Sequence, residues 1–381
     1  MNIDIPKAAR LVGRVWRPEH EGPSVVIVRE GNLYDVTADV ATVADLLDGD
    51  SVALFDGLKG ELLGPVTDFL AEPAEMKSGA SRACLIAPCD LQALKACGVT
   101  FARSMIERVI DERTAGDPER ADAIRQRIGD LIGGSLANVR AGSEAADEVR
   151  RVLQREGLWS QYLEVGIGPD AEVFTKGQPM SSVGHGAYVG VNKISNWNNP
   201  EPEIVLAVNG KGEIRGATLG NDVNLRDVEG RSALLLGKAK DNNASCSIGP
   251  FIRLFDDSFT MTDVETAELT MSVKGTDGFE MTGHSNMAEI SRSPENLARQ
   301  TLSSHQYPDG FMLFLGTMFA PTQDRGTPGS GFTHKEGDVV EISTPLLGTL
   351  SNTVTSCETA APWEFGVRAL MRNLVKRGVL S

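Results

Sequence analysis

The sequence predicts an α+β protein that is mostly β, with a smaller β-rich N-terminal lobe and a helical insert before the main domain. Three observations predict this class: short apolar runs bounded by turn residues near the N-terminus, a helix-forming stretch after residue 100, and glycine-punctuated β patterns from residue 166 onward. Because 381 residues exceed the usual size of one core, we divide the chain into an N-terminal lobe (1–80), a connecting segment with the helical insert (81–165) and a main domain (166–381).

The N-terminal lobe is predicted from alternating strands joined by tight turns. In SVVIVREGNLYDVT, Gly31 and Asn32 lie between two β-rich runs. Glycine and asparagine tolerate the positive φ that two-residue hairpin turns require. This stretch therefore predicts a β-hairpin.

The insert is predicted to contain two helices. Asp117 and Pro118 supply a cap and a first-turn proline before ERADAIRQRIGDLI, and two glycines at 133–134 end that helix. A second helix is expected from Ser143 to Glu156, with only a narrow apolar stripe. Most of the surface of the second helix should therefore face solvent.

The main domain is predicted to be largely β-structure with two helices. AELTMSVKG alternates apolar and polar residues, which is typical of a half-buried strand, whereas GFMLFLGT is a short continuous apolar run that suits a strand buried on both faces. One helix should begin near Ser293 and Pro294. Another should run from about Pro362 to Gly378, because its apolar residues follow the helical spacing i, i+3, i+4, i+7 and i+8.

Composition and charge narrow the classes of partner. The chain is 41% apolar and 23% charged, and its formal net charge is -15. Such a negative charge disfavours nucleic acid and anionic membranes, so we expect a small-molecule partner. Neither an apolar run long enough to span a bilayer nor a secretion signal is evident, and we expect a cytoplasmic location.

The cysteines indicate a reducing compartment. The five cysteines are odd in number and form no C-x-x-C pair, which argues against a disulfide framework and a zinc cluster. Cys246 in NNASCSIGP is the candidate for a catalytic thiol, although no histidine is near it in the sequence. The others are expected to be small core residues.

The acidic motif PEPEIV carries the strongest chemical signal. Glu201 and Glu203 stand at i and i+2, so along a strand both side chains point to the same face, and Pro202 between them is tolerated where a strand begins. Asp222 follows in GNDVNLRD. Converging carboxylates repel unless a cation compensates them, and three hard oxygen donors suit Mg²⁺ or Mn²⁺. The alternative is that these acids are solvated charges at the start of a strand.

Several motifs in order resemble the fumarylacetoacetate hydrolase family. They are E-x-E, N-D-V-x-x-R-D, a lysine ten residues before Gly-Pro, a Gly-Thr pair and the closing GDVVEI…GTLSNTV. The resemblance runs from about Cys84 to Val354 and is greatest to the sugar-acid branch, the 2-keto-3-deoxy-xylonate (or arabinonate) dehydratases. GVTFARSMIERV, LWSQYLEVGIGPDAEVFTKG and HQYPDGFMLFLGTMFAP are among the stretches that carry it.

The resemblance implies a fumarylacetoacetase C-terminal-like mixed β-roll, a homodimer or higher homo-oligomer, and a set of site residues. It makes Glu201, Glu203 and Asp222 the ligands of Mg²⁺ (or Mn²⁺) and places the family's active-site lysine at Lys240. The remaining implied residues are catalytic Glu172 and the substrate-binding Thr317, Ser104, Glu107 and His305.

The resemblance also implies an activity. It is the dehydration of a 2-keto-3-deoxy pentonate to 2,5-dioxopentanoate in non-phosphorylative pentose (xylose) catabolism. In the family's hydrolases, a histidine stands where this chain has Ser104, and C–C hydrolysis without that imidazole lacks its general base. This difference favours elimination over the alternative, an acylpyruvate or diketo-acid hydrolase or an oxaloacetate-type decarboxylase. A non-catalytic metabolite-binding protein is a third possibility, which the complete set of acids with Lys240 disfavours.

The role of Lys240 has two alternatives. If burial lowers its pKa, the amine is the base that removes the C3 proton of the substrate; if it stays charged, it holds the substrate carboxylate or enolate. Glu172 is the other candidate proton carrier. Neither alternative is decided by the sequence.

Overall fold

The computed structural model describes residues 3–71, 82–101, 105, 109, 139–321, 323–326 and 331–380. Its strands are β1 (Leu11–Arg17), β2 (Gly22–Arg29), β3 (Asn32–Asp35), β4 (Glu61–Pro65), β5 (Cys84–Ile86), β6 (Ala93–Gly98), β7 (Glu172–Gly177), β8 (Tyr188–Val191), β9 (Pro202–Val208), β10 (Ile214–Asp222), β11 (Cys246–Leu254), β12 (Glu268–Lys274), β13 (Glu280–Asn286), β14 (Phe311–Phe314), β15 (Val339–Thr344) and β16 (Gly348–Ser356).

The helices of the described residues are short. They are Val43–Asp48, Ser51–Gly57, Glu144–Arg155, Gln161–Ile167, Arg226–Glu229, Leu236–Lys240, Met261–Glu265, Pro294–Leu302 and Val367–Lys376. None of them combines the length and apolar character that a bilayer crossing requires.

Two mixed sheets form the body of the protein. The larger, eleven-stranded sheet has the order β4-β3-β2-β1-β11-β10-β9-β14-β6-β7, with β5 paired to β1, and the smaller has the order β13-β12-β15-β16-β8. The pairs β14–β6 and β16–β8 are parallel, whereas the other strand pairs of the described residues are antiparallel. This architecture confirms the predicted mostly β, α+β class.

The N-terminal strands extend the larger sheet and do not form a sheet of their own. β1 pairs with β11 through Leu11 opposite Arg253 and Val12 opposite Ile252. The predicted boundary near residue 80 therefore divides the chain but does not interrupt the sheet. The predicted hairpin is present, with Glu30 and Gly31 as its two turn residues, both at positive φ (49° and 76°).

The larger sheet is buried on both faces at its centre. One face of β9, with Leu206, packs against the smaller sheet, and the other, with Val205, packs towards the helix Val43–Asp48. All seven residues of β9 are buried, and so are all four of β14. The prediction that GFMLFLGT forms a doubly buried strand is confirmed, as is the half-buried alternation of β12.

The described helices confirm two predictions and correct a third. Glu144–Arg155 is capped by Ser143, and Pro294–Leu302 begins at the predicted proline. The predicted helix around 117–134 lies outside the described residues. The C-terminal helix starts at Val367 and not near Pro362; in the stretch before it, the rings of Phe365 and Trp16 form a T-shaped pair with centroids 5.2 Å apart.

Candidate metal centre

The first two carboxylates of the site lie where β9 begins. Glu201 immediately precedes the strand and Glu203 is its second residue, and each is 1% exposed. The alternation of a strand turns both side chains to the same face, as the i, i+2 spacing predicts. The Glu201 N–H donates to Asn221 Oδ1 at 3.3 Å, so the start of the strand is fixed by its neighbour.

The third carboxylate comes from the antiparallel neighbour. β10 places Gly220 opposite Glu203, and the Asp222 N–H donates to the Glu201 carbonyl at 3.0 Å. As a result, one carboxylate oxygen from each of Glu201, Glu203 and Asp222 lies within 4.8 Å of the others. All three residues are buried, which rules out the alternative of solvated charges at the start of a strand.

Two buried lysines face this triad. Lys240, at the end of the helix Leu236–Lys240, donates from Nζ to Glu201 Oε2 and, at 2.9 Å, to Asp222 Oδ2. Lys176, on β7, has its Nζ 2.9 Å from Asp222 Oδ1 and also donates to the Lys240 carbonyl and to Ser245 Oγ. Lys176 is a site residue that the sequence reasoning missed. Its position two residues after Phe174 and four after Glu172 was the available signal.

The pKa shifts of Asp222 and Lys240 indicate the charge on each of these two groups. Burial would raise the pKa of Asp222, but Lys176 and Lys240 outweigh it and hold that pKa below its ordinary value. Burial would likewise lower the pKa of Lys240, yet Asp222 and Glu201 raise it, which favours the ammonium form. Of the two roles open to Lys240, this arrangement supports the charged one.

Glu203 is the acid without a cationic partner. Among the described residues, no lysine or arginine forms an ion pair with it; Oε2 accepts from the Gly316 N–H at 2.7 Å, and Thr317 Oγ1 lies 3.4 Å from Oε1. Burial, followed by the negative charges of Asp222 and Glu201, raises its pKa well above the ordinary 4.5. When all three acids are ionised, the two facing lysines leave one carboxylate without a counter-charge. This buried set of hard oxygen donors fits a divalent cation such as Mg²⁺.

A glycine turn brings Thr317 to the triad. β14 ends beside β9, and Gly316 follows with φ of 103°, a conformation that favours glycine. A Cβ at Gly316 would lie 2.0 Å from Thr100 Oγ1, so the backbone N–H that binds Glu203 depends on this close approach. The structure thus places Thr317 beside the acids, where the family resemblance implied it.

Glu172 lies on the site face of β7. It shares that face with Phe174 and Lys176 by strand alternation, and the Lys240 Nζ is 5.9 Å from the Phe174 ring centroid. Burial raises the pKa of the Cys97 thiol, and the nearby carboxylates of Glu203 and Glu172 raise it further. The Cys97 thiol therefore lies within electrostatic range of both carboxylates.

Gly98 offers a test of the position of Glu172. Gly98 is opposite Glu172 in the β6–β7 pair, and a Cβ there would lie 1.8 Å from Glu172 Oε2. Because the far end of a flexible side chain can move cheaply, Gly98→Ala should cost about 1 kcal/mol or less in unfolding free energy while displacing the carboxylate. If Glu172 has the catalytic role that the resemblance implies, kcat should fall by roughly tenfold or more with little change in Tm, since misplacing such a group costs rate. An unchanged kcat would argue against a role for Glu172.

The structure does not bring His305 to this site. His305 is exposed, its ring stacks on Tyr307 with centroids 4.5 Å apart, and it precedes the start of β14. That end of β14 pairs with Val208, five residues along β9 from Glu203, or roughly 17 Å at the usual rise of a strand. Within one chain His305 therefore lies away from the triad, because it stands at the opposite end of the strand that delivers Thr317.

The other sequence candidates have simple outcomes. Ser104 and Glu107 lie outside the described residues. Cys246 is buried next to Asp222 on the sheet, and burial raises the pKa of its thiol, which disfavours the thiolate of a nucleophile. Asn224 was missed: its Nδ2 donates to Glu201 Oε1 at 3.0 Å, and its spacing two residues after Asp222 was the signal.

Comparison with protein families identifies the domain that carries the triad. The family model described as fumarylacetoacetate (FAA) hydrolase C-terminal matches residues 157–355, more than half of the chain. The chain belongs to the fumarylacetoacetate hydrolase family. The resemblance drawn from the motifs is thereby confirmed.

Two curated relatives within this family share part of the chain. A probable 2-keto-3-deoxyxylonate dehydratase of Haloferax volcanii is 33% identical over 203 residues, which are 53% of this chain and 66% of the relative. A 2-dehydro-3-deoxy-D-arabinonate dehydratase of Saccharolobus solfataricus is 30% identical over 179 residues, 47% of this chain and 57% of the relative. The matches span less than two thirds of the length of these relatives.

Solved structures show the same fold over most of the chain. The apo form of a 2-keto-3-deoxy-D-arabinonate dehydratase superposes with a TM-score of 0.62 at 19% identity and covers 91% of this chain and 99% of that one. The structure of that dehydratase complexed with magnesium and 2,5-dioxopentanoate gives the same TM-score, identity and coverage. These likenesses confirm the predicted fold of the family.

Proposed function

We propose that the protein is a metal-dependent hydro-lyase that converts a 2-keto-3-deoxy pentonate, either the D-xylonate or the arabinonate, to 2,5-dioxopentanoate. The observation that carries the proposal is the buried triad of Glu201, Glu203 and Asp222, which contains one acid more than the two facing lysines can compensate. The dehydratase names of the two curated relatives and the magnesium-bound structural neighbour support this choice of reaction.

The three acids would hold Mg²⁺ or Mn²⁺. A divalent cation bound there supplies Lewis-acid polarisation of the substrate's ketone, which makes the C3 protons more acidic. Asn224 and the Gly316 N–H orient two of the ligands, since they donate to Glu201 at 3.0 Å and to Glu203 at 2.7 Å. Such fixed donors keep the carboxylates in place without competing for the charge.

The chain's own groups suit the proton and charge movements of an elimination. Lys240, as an ammonium, would hold negative charge that develops on the substrate, and Glu172 would accept the proton from C3. The C3–H bond and the C4–O bond break, and the C4 hydroxyl leaves with a proton as water. A proton shift from C5 to C3 then gives an enol with a C4=C5 double bond, and transfer of the enol O–H proton to C4 yields the aldehyde of 2,5-dioxopentanoate.

The biological setting and assembly belong to the same proposal. The activity would serve non-phosphorylative pentose catabolism in the cytoplasm, with the protein as a homodimer or higher homo-oligomer. An exposed apolar stripe on the C-terminal helix supports oligomerisation: Val367, Met371 and Val375 are 37%, 57% and 56% exposed.

A substrate assay tests the reaction directly. We expect purified protein with Mg²⁺ to release 2,5-dioxopentanoate from 2-keto-3-deoxy-D-xylonate or 2-keto-3-deoxy-arabinonate, detected through an aldehyde dehydrogenase. Chelator should abolish the signal and excess Mg²⁺ or Mn²⁺ should restore it, because the metal supplies the polarisation. The matched control substrate is an acylpyruvate. Cleavage of the acylpyruvate without formation of the semialdehyde would replace the dehydratase proposal with the hydrolase.

A further inference from the structure

A second cavity lies beside β1, away from the metal centre. It has a volume of about 180 Å³ and is enclosed by β1, β5, the stretch 180–187 and the stretch 361–365. Among its walls are the side chains of Arg14, Trp16, Ile86, Met180 and Phe365. None of the triad acids and neither of the two site lysines lines it.

Side chains of β1 form one wall of this cavity. Arg14 and Trp16 are two residues apart and therefore share one face of the strand. β5 pairs alongside them, with Arg14 opposite Ile86 and Trp16 opposite Cys84. The C-terminal stretch closes the top, and Asn243 Nδ2 holds it by donating to the Cys357 and Ala361 carbonyls, each at 3.1 Å.

Arg14 is a buried cation without an anionic partner. It is 4% exposed, and its Nη1 donates to the Cys89 carbonyl. Among the described residues no carboxylate forms an ion pair with it, whereas Arg17 on the same strand pairs with three. The neighbouring Asp90 carboxylate instead accepts from backbone N–H groups, including that of Val43 at 2.7 Å.

An unpaired charge in such a position is costly. Burial lowers the pKa of Arg14, and the neighbouring Asp90 carboxylate offsets this only in part. A guanidinium has five N–H donors arranged for bidentate carboxylate recognition, and a single carbonyl uses few of them. The cavity wall is where further acceptors can approach it.

We propose that this cavity binds a small organic monocarboxylate, with its carboxylate on Arg14 and its apolar body between Trp16, Ile86 and Phe365. The volume suits such a ligand, because cavities of about 150 Å³ admit a molecule the size of benzene. The single guanidinium and the largely apolar side chains around it favour one negative charge on an apolar body. A dianion such as phosphate would bury a second negative charge and further hydrogen-bond acceptors, and this largely apolar wall does not match them.

The cavity is open to solvent at its rim. Pro362, Trp363 and Glu364 line the cavity and are exposed, so its rim reaches solvent without opening the core. Glu364 forms no ion pair with Arg14, and its exposure leaves its charge to water. Asn243 and Ala244, which follow the helix Leu236–Lys240, also line the cavity, so a bound ligand would contact the loop after this site lysine.

Benzoate is a suitable probe, because it has one charge, an apolar ring and no keto group for metal chelation. In chelator, calorimetry should give saturable binding of benzoate to one site, and benzamide and inorganic phosphate should bind at least about tenfold more weakly. Arg14→Gln keeps a donor for the Cys89 carbonyl but removes the charge, and it should weaken benzoate binding at least about tenfold. Glu203→Gln should bind benzoate as the wild type does.

The four tryptophans give an independent readout on the wild-type protein. In NMR spectra of the indole N–H groups, benzoate should shift the signals of Trp16 and Trp363, which line the cavity, and leave those of Trp159 and Trp197 unchanged. Absence of saturable benzoate binding, equal binding of benzamide, full binding by Arg14→Gln or loss of binding in Glu203→Gln would each overturn the proposal. The proposed dehydratase activity does not depend on any of these outcomes.

Discussion

Glu203→Gln is expected to reduce turnover by a factor of at least about 10³, while the protein still folds. Glutamine keeps an oxygen that can accept from the Gly316 N–H, which lies 2.7 Å from Glu203 Oε2, but it removes one of the three carboxylates proposed to hold the metal. Loss of metal polarisation removes several kcal/mol of transition-state stabilisation, and each 1.36 kcal/mol is tenfold in rate. Steady-state rates at saturating Mg²⁺ measure the effect.

The same substitution should stabilise the protein when no metal is present. The folded-state pKa of Glu203 lies above its ordinary 4.5, so its contribution to stability is full at low pH and is lost as the pH rises through the folded-state value. Glutamine stays neutral at every pH. In the presence of chelator, the unfolding free energy of Glu203→Gln should therefore exceed that of the wild type by an amount that grows as the pH rises above about 5. Thermal unfolding across a pH series measures this difference.

Addition of metal should make the wild type more stable than Glu203→Gln. Mg²⁺ at about 100 times its Kd should stabilise the wild type by about 2.7 kcal/mol and the variant far less. Glu268→Gln, an exposed carboxylate on β12, is the matched control and should change neither rate nor stability appreciably. Retained turnover, or an equal Mg²⁺ effect on Glu203→Gln, would contradict metal binding at the triad.

Much of the triad could be predicted because it depends on local periodicity. The i, i+2 spacing of Glu201 and Glu203 defines one face wherever a strand forms, and the apolar IVLAV that follows predicts that strand. To predict that Asp222 joins them, it was enough to assume that the next strand returns antiparallel across a short turn. The same reasoning located β12 and β14 correctly.

The unpredicted features depend on which distant strands become neighbours. Lys176 reaches Asp222 because β7 follows β6 at the end of the larger sheet and the helix Leu236–Lys240 folds over it, an arrangement that no local pattern encodes. The distance of His305 from the triad has the converse cause. His305 is near Thr317 in the sequence, but an extended strand separates the two ends, so proximity in the chain does not become proximity in space.

Lys176→Met is expected to destabilise the protein by about 3–5 kcal/mol, because it leaves the three buried acids facing Lys240 alone. The Lys176 side chain is fully buried and its Nζ contacts Asp222, Ser245 and the Lys240 carbonyl. Urea unfolding in chelator, with the midpoint and the slope fitted separately, measures the loss. Lys95→Met on the adjacent strand β6 is the matched control, since its Nζ donates only to Thr175 Oγ1, at 3.0 Å, among the described residues; it should cost less than about 1 kcal/mol.

A double variant separates lost charge from lost packing. If the cost of Lys176→Met comes from the uncompensated Asp222 carboxylate, adding Asp222→Asn should recover part of the stability, because the amide is neutral and the two residues are in contact. If instead the cost comes from the donors that Ser245 and the Lys240 carbonyl lose, the second substitution should add a further loss. Recovery in the double variant would show that Lys176 is present to balance the charge of the triad, and simple additivity would contradict that role.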